Sequence, residues 1–254
     1  MAKPKNKLAQ LKKAYNDYLN KKANNIAWIL SSKKNVTKLI LDCIGELYEA
    51  ANLEKNYPEN NFEAAYHNPI TSDLEFLIAR ILAYYSKRKH LGWKVYLRKQ
   101  YKKTAPDIRI EKKRKTIAII EIKAKVGWMQ TVFSKETYKK ELKRYKTGAG
   151  PDPKELIKRA ANQIKKYHKT FKIPPSRIYV LLPALKEAHR KKSKQGVNDY
   201  RDFFLKKTGL PKNNLIIMSE NLMLSLDGKP KDITARRDYN ETRQFEDFVS
   251  EISK

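Results

Sequence analysis

The sequence predicts an α/β protein in which a mixed β-sheet is flanked by helices and preceded by an N-terminal helical extension. The central observation is a β-hairpin pattern over residues 106–125, with β-branched residues and alternating charges beside a polar turn. A helical pattern at 153–171 and an apolar strand at 177–182 follow, which is the order of a βαβ-like crossover. Because no repeat or clear linker is evident, we expect residues 1–57 (helical region) and 70–254 (core) to form one continuous domain.

Two helices are predicted before the sheet, over residues 5–30 and 35–54, because apolar residues recur there at spacings of three and four. The predicted apolar positions are Leu8, Leu11, Tyr15, Tyr18 and Leu19 in the first helix and Leu39, Ile40, Cys43, Ile44, Leu47 and Tyr48 in the second. One interpretation is a helical hairpin packed on the core or on a second subunit. The other is a subdomain that contacts DNA or mediates dimerisation.

A third helix is predicted to begin at Ser72-Asp73, where N-capping residue types precede an apolar stripe. Glu75 lies at the edge of that stripe, which consists of Leu74, Leu77, Ile78, Ile81, Leu82 and Tyr85. The remaining predicted elements are a loop at 55–72, a first core strand at 91–101, a helix at 199–207, a strand at 214–218 and a closing helix at 242–252.

The composition indicates a folded chain that binds polyanions. Of the 254 residues 41% are hydrophobic, and 56 Lys and Arg against 27 Asp and Glu give a net charge of +29 spread along the chain. Such a field attracts nucleic acid without distinguishing DNA from RNA. The single Cys43 excludes an internal disulfide and a cysteine-rich zinc site, and no apolar run suits a membrane span or a signal peptide. We therefore expect a soluble, cytoplasmic protein of prokaryotic type with no membrane partner.

One end of the hairpin carries charges that suit phosphodiester hydrolysis. If the turn centres near Arg114, Asp107 lies opposite Glu121, and Lys123 shares the strand face of Glu121. Mg²⁺ prefers carboxylate oxygens, so these two acids could hold it with the backbone carbonyl of Ile122 as a third ligand. The metal would acidify a bound water, which Lys123 can orient. The alternative is a surface hairpin with a capping Asp and a solvated Glu–Lys pair, although a charge in an apolar strand is costly unless paired.

Pro106-Asp107 followed by Glu121-Ile122-Lys123 resembles the motif of the PD-(D/E)XK nuclease superfamily, which includes many type II restriction endonucleases. The resemblance implies a restriction-endonuclease-like fold and Mg²⁺-dependent DNA cleavage, with Mn²⁺ as an alternative ion. A helix before the core sheet often carries an acidic residue that reaches the metal in that superfamily, and Glu75 matches that position. The other interpretation of Glu75 is a first-turn acid that favours the helix dipole.

Gln163 and Tyr167 are four residues apart, hence on one helix face. Their spacing resembles the Gln-x-x-x-Tyr motif of the RecB-like branch of the same superfamily. There the motif helps to shape the DNA-facing side of the site, and the resemblance implies an auxiliary role for Gln163 and a nucleic-acid contact for Tyr167.

Two further stretches combine cations with a position near the predicted site. Residues 126–145 follow the hairpin and are rich in Lys and aromatics, which suits phosphate contacts and base stacking. Residues 186–196 form a dense basic run. The predicted nucleic-acid contacts here are Lys125, Trp128, Gln130, Arg190, Lys191, Lys192 and Lys194. Solvated loops are the alternative interpretation of both stretches.

These features together predict a Mg²⁺-dependent endonuclease that cleaves double-stranded DNA, in the manner of a sequence-specific type II restriction enzyme. Cleavage of both strands favours a homodimer with one site per strand. The alternatives are a RecB-like repair or exonuclease module, a structure-specific or RNA-directed nuclease, and a non-catalytic basic nucleic-acid-binding protein. The sequence shows no zinc-spaced histidines, nucleophile elbow or phosphate-binding glycine loop that would support other chemistry.

Overall fold

The computed structural model describes residues 4–52, 71–123, 139, 143, 146–147, 153–184, 197–227 and 234–254. Within these residues the helices named below are α1 (Pro4–Ser31), α2 (Thr37–Asn52), α3 (Thr71–Arg88), α4 (Pro153–Phe171), α5 (Val197–Thr208) and α6 (Gln244–Ser253). The strands are β1 (Trp93–Leu97), β2 (Ile108–Lys112), β3 (Lys115–Ile122), β4 (Ile178–Ala184), β5 (Leu215–Asp227) and β6 (Thr234–Glu241).

The six strands form one mixed sheet in the order β1-β2-β3-β4-β5-β6. β3, β4 and β5 are mutually parallel, and the outer pairs are antiparallel. α4 connects β3 to its parallel neighbour β4, so the predicted crossover is present. The apolar run in β4 is buried on both faces, as expected for a strand inside a parallel region. The predicted mixed α/β architecture with flanking helices is therefore confirmed.

The two faces of the sheet carry different helices. Alternate residues of β3 explain this division, because Ile120 and Ile122 enter one core cluster while Ile119 enters the other. The first cluster also contains residues of α1, α2, α3 and α6, and we call this side the α1–α3 face. The second cluster contains residues of α4 and α5, and we call this side the α4 face. The N-terminal helices thus share a core with the sheet.

The hairpin of β2 and β3 closes with a two-residue turn, Lys113-Arg114, whose backbones are both left-handed with φ of 49° and 62°. Ile110 pairs with Ala118 and Glu111 with Thr116, so Ile117 is a bulge residue without a partner. The alternation pattern puts Ile117 on the face of Glu121. The bulge overturns that expectation, and Ile117 packs against the α1–α3 face.

Two strand predictions need correction. β1 ends at Leu97 rather than at 101, because Arg98 takes a left-handed backbone with φ of 47°. β5 continues to Asp227, well beyond the predicted 218, and it pairs with β6, which the sequence did not predict. β6 reads Thr-Ala-Arg-Arg-Asp-Tyr-Asn-Glu, and an edge strand with so few apolar residues gives no clear alternation signal.

The buried stripe of α1 differs from the prediction. Leu19 is buried as predicted, but Tyr15 and Tyr18 are exposed, and the helix packs further along through Ala23, Ile26, Ala27 and Leu30. The side chains of Leu8 and Leu11 lie outside the described part of the structure. The small alanines allow close approach, which a pattern built on large side chains does not reveal. The predicted stripe of α3 is buried throughout. No helix in the described part of the chain is both long and apolar enough to cross a membrane, and this includes α1 with its 28 residues.

Candidate active site

Asp107 and Glu121 meet at the end of the hairpin opposite the turn. Asp107 immediately precedes β2, and Glu121 is the penultimate residue of β3. Ile108 pairs with Ile120, so the next position along brings Asp107 opposite Glu121, as the hairpin pattern predicts. The N–H of Ile122 donates to Asp107 Oδ2 at 2.7 Å and fixes one oxygen of that carboxylate.

The Glu121 carboxylate is buried and receives three hydrogen bonds from side chains. Oε1 accepts from Lys123 Nζ at 2.6 Å and from Gln163 Nε2 at 2.7 Å, and Oε2 accepts from the Tyr167 hydroxyl at 2.6 Å. Gln163 Nε2 also donates to the Tyr167 hydroxyl at 2.7 Å. α4 therefore presents two donors, one helical turn apart, that orient a carboxylate on β3. A solvated Glu–Lys pair, the alternative interpretation of the motif, does not describe this arrangement.

The electrostatics of the pair are unbalanced toward negative charge. Burial, together with the negative charge of Glu121, raises the pKa of Asp107 from 3.8 to about 7. The Ile122 N–H and the positive charge of Lys123 act in the opposite direction but do not cancel this effect. Asp107 is therefore poised between its neutral and charged forms near neutral pH, and a nearby cation would favour the charged form.

Glu75 lies close to this pair but is engaged by Arg98. The Glu75 side chain is 2% exposed and accepts from Arg98 NH2 at 2.8 Å and from Arg98 Nε. The charge of Glu75 also contributes to the raised pKa of Asp107. The sequence correctly brings an acidic residue of α3 toward the site. It did not reveal Arg98, whose left-handed backbone positions its guanidinium against that acid.

Tyr167 is buried and contacts the Glu121 carboxylate. Its ring is 2% exposed within the core cluster of the α4 face, and its hydroxyl is bound to Glu121. Burial and the adjacent Glu121 raise the pKa of the hydroxyl, so it remains a donor. The hydroxyl of Tyr167 is thus bound to Glu121, and the predicted contact of Tyr167 with nucleic acid stays a prediction.

The oxygen donors fit a Mg²⁺ ion. Asp107 and Glu121 bring two carboxylates together where negative charge is under-compensated, as the raised pKa of Asp107 indicates. Within the described ranges, no group of three or more His, Cys, Asp and Glu side chains is arranged to hold a metal. An ion here would therefore use two carboxylates, a main-chain oxygen such as that of Ile122, and water or substrate oxygens. Mg²⁺ commonly binds proteins with so few side chains.

The predicted contacts in the two basic stretches lie outside the described residues. They are Lys125, Trp128, Gln130, Arg190, Lys191, Lys192 and Lys194. Among the predicted site residues, the structure thus brings together Asp107, Glu121, Lys123, Gln163 and Tyr167, with Ile122 and Glu75 beside them.

Arg109 is a prominent buried charge that the sequence interpretation missed. It lies two residues beyond Asp107 on the same strand face and is 7% exposed. Its guanidinium carbon lies 4.4 Å from the ring centroid of Tyr96 and 5.4 Å from that of Phe171, and it forms an ion pair with Glu111. Alternation along β2 could have identified it, since positions 107, 109 and 111 share one face.

Comparison of the chain with protein families, with curated proteins and with solved structures returned no match. The functional assignment therefore depends on the chemistry of the site.

Proposed function

We propose that this protein is a Mg²⁺-dependent DNA endonuclease with a restriction-endonuclease-like core, and that Asp107, Glu121 and Lys123 carry its chemistry. The observation that supports this most is the approach of the buried Glu121 carboxylate and the half-buried Asp107 carboxylate, whose pKa is raised to about 7, beside a lysine ammonium. The net charge of +29 supports a polyanionic substrate. The resemblance to the PD-(D/E)XK motif agrees with both.

Each residue has a role that follows from its contacts. Asp107 and Glu121 would hold the metal, which when bound supplies a Lewis acid and a more acidic water. Lys123 lies against Glu121 and offsets negative charge that develops on the phosphate during attack. Gln163 and Tyr167 hold the Glu121 carboxylate in one orientation, so that little reorganisation is needed during reaction.

Burial of Glu121 favours a functional over a purely structural role. A charged group inside a sheet is costly unless it is paired, and here three side chains are committed to one carboxylate. An apolar residue at position 121 would complete the core of the α4 face and would need no hydrogen-bond donors. Burial of the Glu121 charge therefore lowers the folding free energy gained, and it suits a site that needs a fixed negative charge.

The direct test is cleavage of supercoiled and linear plasmid DNA by wild type, Asp107→Ala and Lys123→Ala, with Mg²⁺ or with EDTA. We expect the wild type to produce discrete fragments with Mg²⁺ alone and both variants to lose activity. Asp202→Ala and Lys112→Ala are matched controls, because the first removes an exposed Asp of α5 and the second a lysine of the same hairpin. Both controls should cleave like the wild type.

Two outcomes would contradict the proposal. Equal cleavage by wild type and Asp107→Ala would show that a different site, or a contaminant, performs the reaction. Salt-sensitive binding of DNA and RNA without cleavage, with Mg²⁺ or Mn²⁺, would instead identify a non-catalytic nucleic-acid-binding protein.

A RecB-like exonuclease or repair module is the second candidate, and a specific observation favours it. Gln163 and Tyr167, whose spacing resembles the RecB-like motif, both donate to the carboxylate of Glu121 and so lie at the proposed site. Substrate topology separates the two candidates. An exonuclease degrades linear DNA from its ends and spares closed circles, whereas an endonuclease linearises the circles.

Cleavage of both strands of a duplex would require two sites, and we propose a homodimer on that ground. Sedimentation of the protein with and without a DNA duplex tests this directly. A monomer in both conditions that still cuts both strands would contradict the homodimer without affecting the assignment of the catalytic residues.

A further inference from the structure

A pocket lies near the hairpin turn, on the same side of the sheet as the carboxylates of Asp107 and Glu121. It is open to solvent, has a volume of about 370 Å³, and is lined by Gly92, Lys94, Tyr96, Glu111, Lys113 and Arg114. A volume of this size falls within the range of small-ligand sites. None of these residues belongs to the carboxylate site described above.

The charges of this pocket are arranged for a ligand with two kinds of polar group. The Glu111 carboxylate is paired with the buried Arg109 and hydrogen-bonded to the Tyr96 hydroxyl, which raises the pKa of Tyr96. The negative charge of the Glu111 carboxylate is therefore already offset by the buried guanidinium of Arg109. The rim cations Lys94, Lys113 and Arg114 form no ion pair within the described residues, so the rim presents excess positive charge around a partly exposed acceptor.

The turn that carries two of these cations is an unfavourable one for its residues. Two-residue hairpin turns with both backbones left-handed prefer Asn-Gly, because other side chains crowd the backbone there. Here Lys113 and Arg114 occupy both positions. Such local strain is often retained at functional sites, and in this turn it brings two basic side chains to the pocket rim.

The pocket is connected to the carboxylates by one strand face. Asp107 and Glu111 lie four residues apart on alternate positions of the β2 segment, a separation of about 13 Å at about 3.3 Å per residue. Lys94 pairs with Glu111 and Tyr96 with Arg109 on the neighbouring strand, so the same face extends over β1. A nucleic-acid strand a few nucleotides long can span both places.

We propose that this pocket binds one nucleotide of the substrate strand, flipped out of the duplex, whose base carries an exocyclic amino group. The rim cations Lys94, Lys113 and Arg114 contact its phosphates, and Glu111 accepts from the amino group of cytosine or adenine. Carboxylates accept in this way from cytosine, and thymine offers no such donor. The inference deepens the proposed function, on which it rests for the identity of the substrate strand.

Binding of fluorescein-labelled 12-nucleotide oligo-dC and oligo-dT to the full chain in EDTA tests the pocket without cleavage. The key variant combines Lys113→Asn with Arg114→Gly, which removes two cations and supplies the residues that the turn prefers. The matched control combines Lys112→Gln with Lys115→Gln, which removes two cations that flank the turn but do not line the pocket.

We expect the turn variant to melt a few degrees higher than wild type, because left-handed strain is relieved, and yet to bind oligo-dC about tenfold more weakly. The control should weaken binding by less than about threefold. Gain of stability with loss of binding cannot arise from misfolding. If both double variants weakened the binding of oligo-dC equally, the proposal of a nucleotide site in this pocket would be wrong, since the general positive charge of the protein would then explain binding.

The base preference is tested with Glu111→Gln. Wild type should bind oligo-dC about tenfold more tightly than oligo-dT, and the variant should reduce that ratio toward one. Equal affinity of the wild type for the two oligonucleotides would overturn the role of Glu111. Because these measurements use EDTA, loss of cleavage in Asp107→Ala bears only on the carboxylate site, and the two proposals can fail separately.

Discussion

The two faces of the β2–β3 hairpin are built from the same strands and differ in kind. Toward the α1–α3 face, Ile108, Ile110, Ala118, Ile120 and Ile122 are all buried in one apolar cluster. Toward the α4 face, the hairpin and the residues beside it carry the charged side chains of Asp107, Arg109, Glu111, Glu121 and Lys123, with Ile119 as the buried apolar residue among them. Arg109 and Glu121 are buried and the other three are half-buried, so burial alone does not account for the difference between the faces. What distinguishes them is whether a neighbouring element supplies hydrogen-bond donors.

The fold thus keeps the residues that stabilise it on one face and those that we propose for the chemistry on the other. The apolar face removes its side chains from water, and such burial is the dominant favourable contribution to folding. The charged face depends on donors from α4, from the Ile122 backbone and from Lys123, each of which satisfies one oxygen of a carboxylate. Substitutions on the apolar face should therefore change the free energy of unfolding alone, whereas those on the charged face should also change activity.

The largest expected effect is on the charged face. Glu121→Gln keeps the shape of the side chain but removes the charge, so cleavage should fall about 10³-fold, equivalent to about 4 kcal/mol in the activation free energy. The melting temperature should also shift, because the charge that is removed is buried and paired with Lys123. Plasmid cleavage and thermal unfolding measure the two quantities, with Glu251→Gln in α6 as a control that keeps activity. A fully active Glu121→Gln variant would remove the distinction between the faces.

The next effect is on the apolar face. Ile120→Ala removes a fully buried side chain, and we expect a loss of about 3 kcal/mol in the free energy of unfolding. Cleavage per folded molecule should be unchanged. Urea unfolding measures the first quantity, and Ile119→Ala is the matched substitution on the opposite face of the same strand. A specific loss of cleavage in Ile120→Ala at full folding would show that the apolar face also participates in the chemistry.

A third effect is a dependence of stability on pH. The folded-state pKa of Asp107, about 7, exceeds its ordinary value of 3.8, so its contribution to stability is fully present below about pH 4 and is lost as pH rises through 7. Asp107→Asn mimics the protonated form. In EDTA it should match wild type at pH 4 and exceed it at pH 8 by up to about 4 kcal/mol, which appears as a higher Tm.

Thermal unfolding across pH 4–8 measures this difference, and Asp202→Asn, an exposed Asp on α5, is the control. A difference between wild type and Asp107→Asn that is constant with pH would contradict the unbalanced charge of the Asp107–Glu121 pair.

The smallest expected effect concerns two buried tyrosines, which donate to glutamates on opposite faces of the sheet. Tyr167 donates to Glu121 at 2.6 Å, and Tyr179 donates to Glu251 at 3.2 Å. Tyr167→Phe and Tyr179→Phe should each cost about 1 kcal/mol of stability. Only Tyr167→Phe should also slow cleavage, by several-fold, because Glu121 loses one of the donors that orient it. Equal cleavage rates for the two variants would show that the Tyr167 hydroxyl is not needed to position that carboxylate.

Much of this fold could be predicted from local patterns. The hairpin, the amphipathic helix α4 and the apolar strand β4 each carry a periodicity that follows directly from backbone geometry. Asp107 and Glu121 could be brought together because the length of a hairpin determines which residues face each other. The bulge at Ile117 and the polar edge strand β6 could not be predicted, since neither alters the composition in a way that a single sequence reveals.

The tertiary partners of the charged residues were harder to predict. The spacing of Gln163 and Tyr167 puts them on one helix face, but their contact with Glu121 depends on how α4 packs. Arg98 reaches Glu75 because its backbone is left-handed, a conformation that the residue type does not indicate. Burial of Arg109 among aromatic rings depends on three separate segments meeting.

The order in which the chain is made gives these long-range contacts a consequence in time. Glu121 emerges from the ribosome 42 residues before Gln163 and 46 before Tyr167. At synthesis rates of about 5–20 residues per second, the nascent carboxylate waits about 2–9 s for its last donor. Until α4 has been synthesised and docked, Gln163 and Tyr167 cannot hold Glu121 in the orientation that it has in the folded protein.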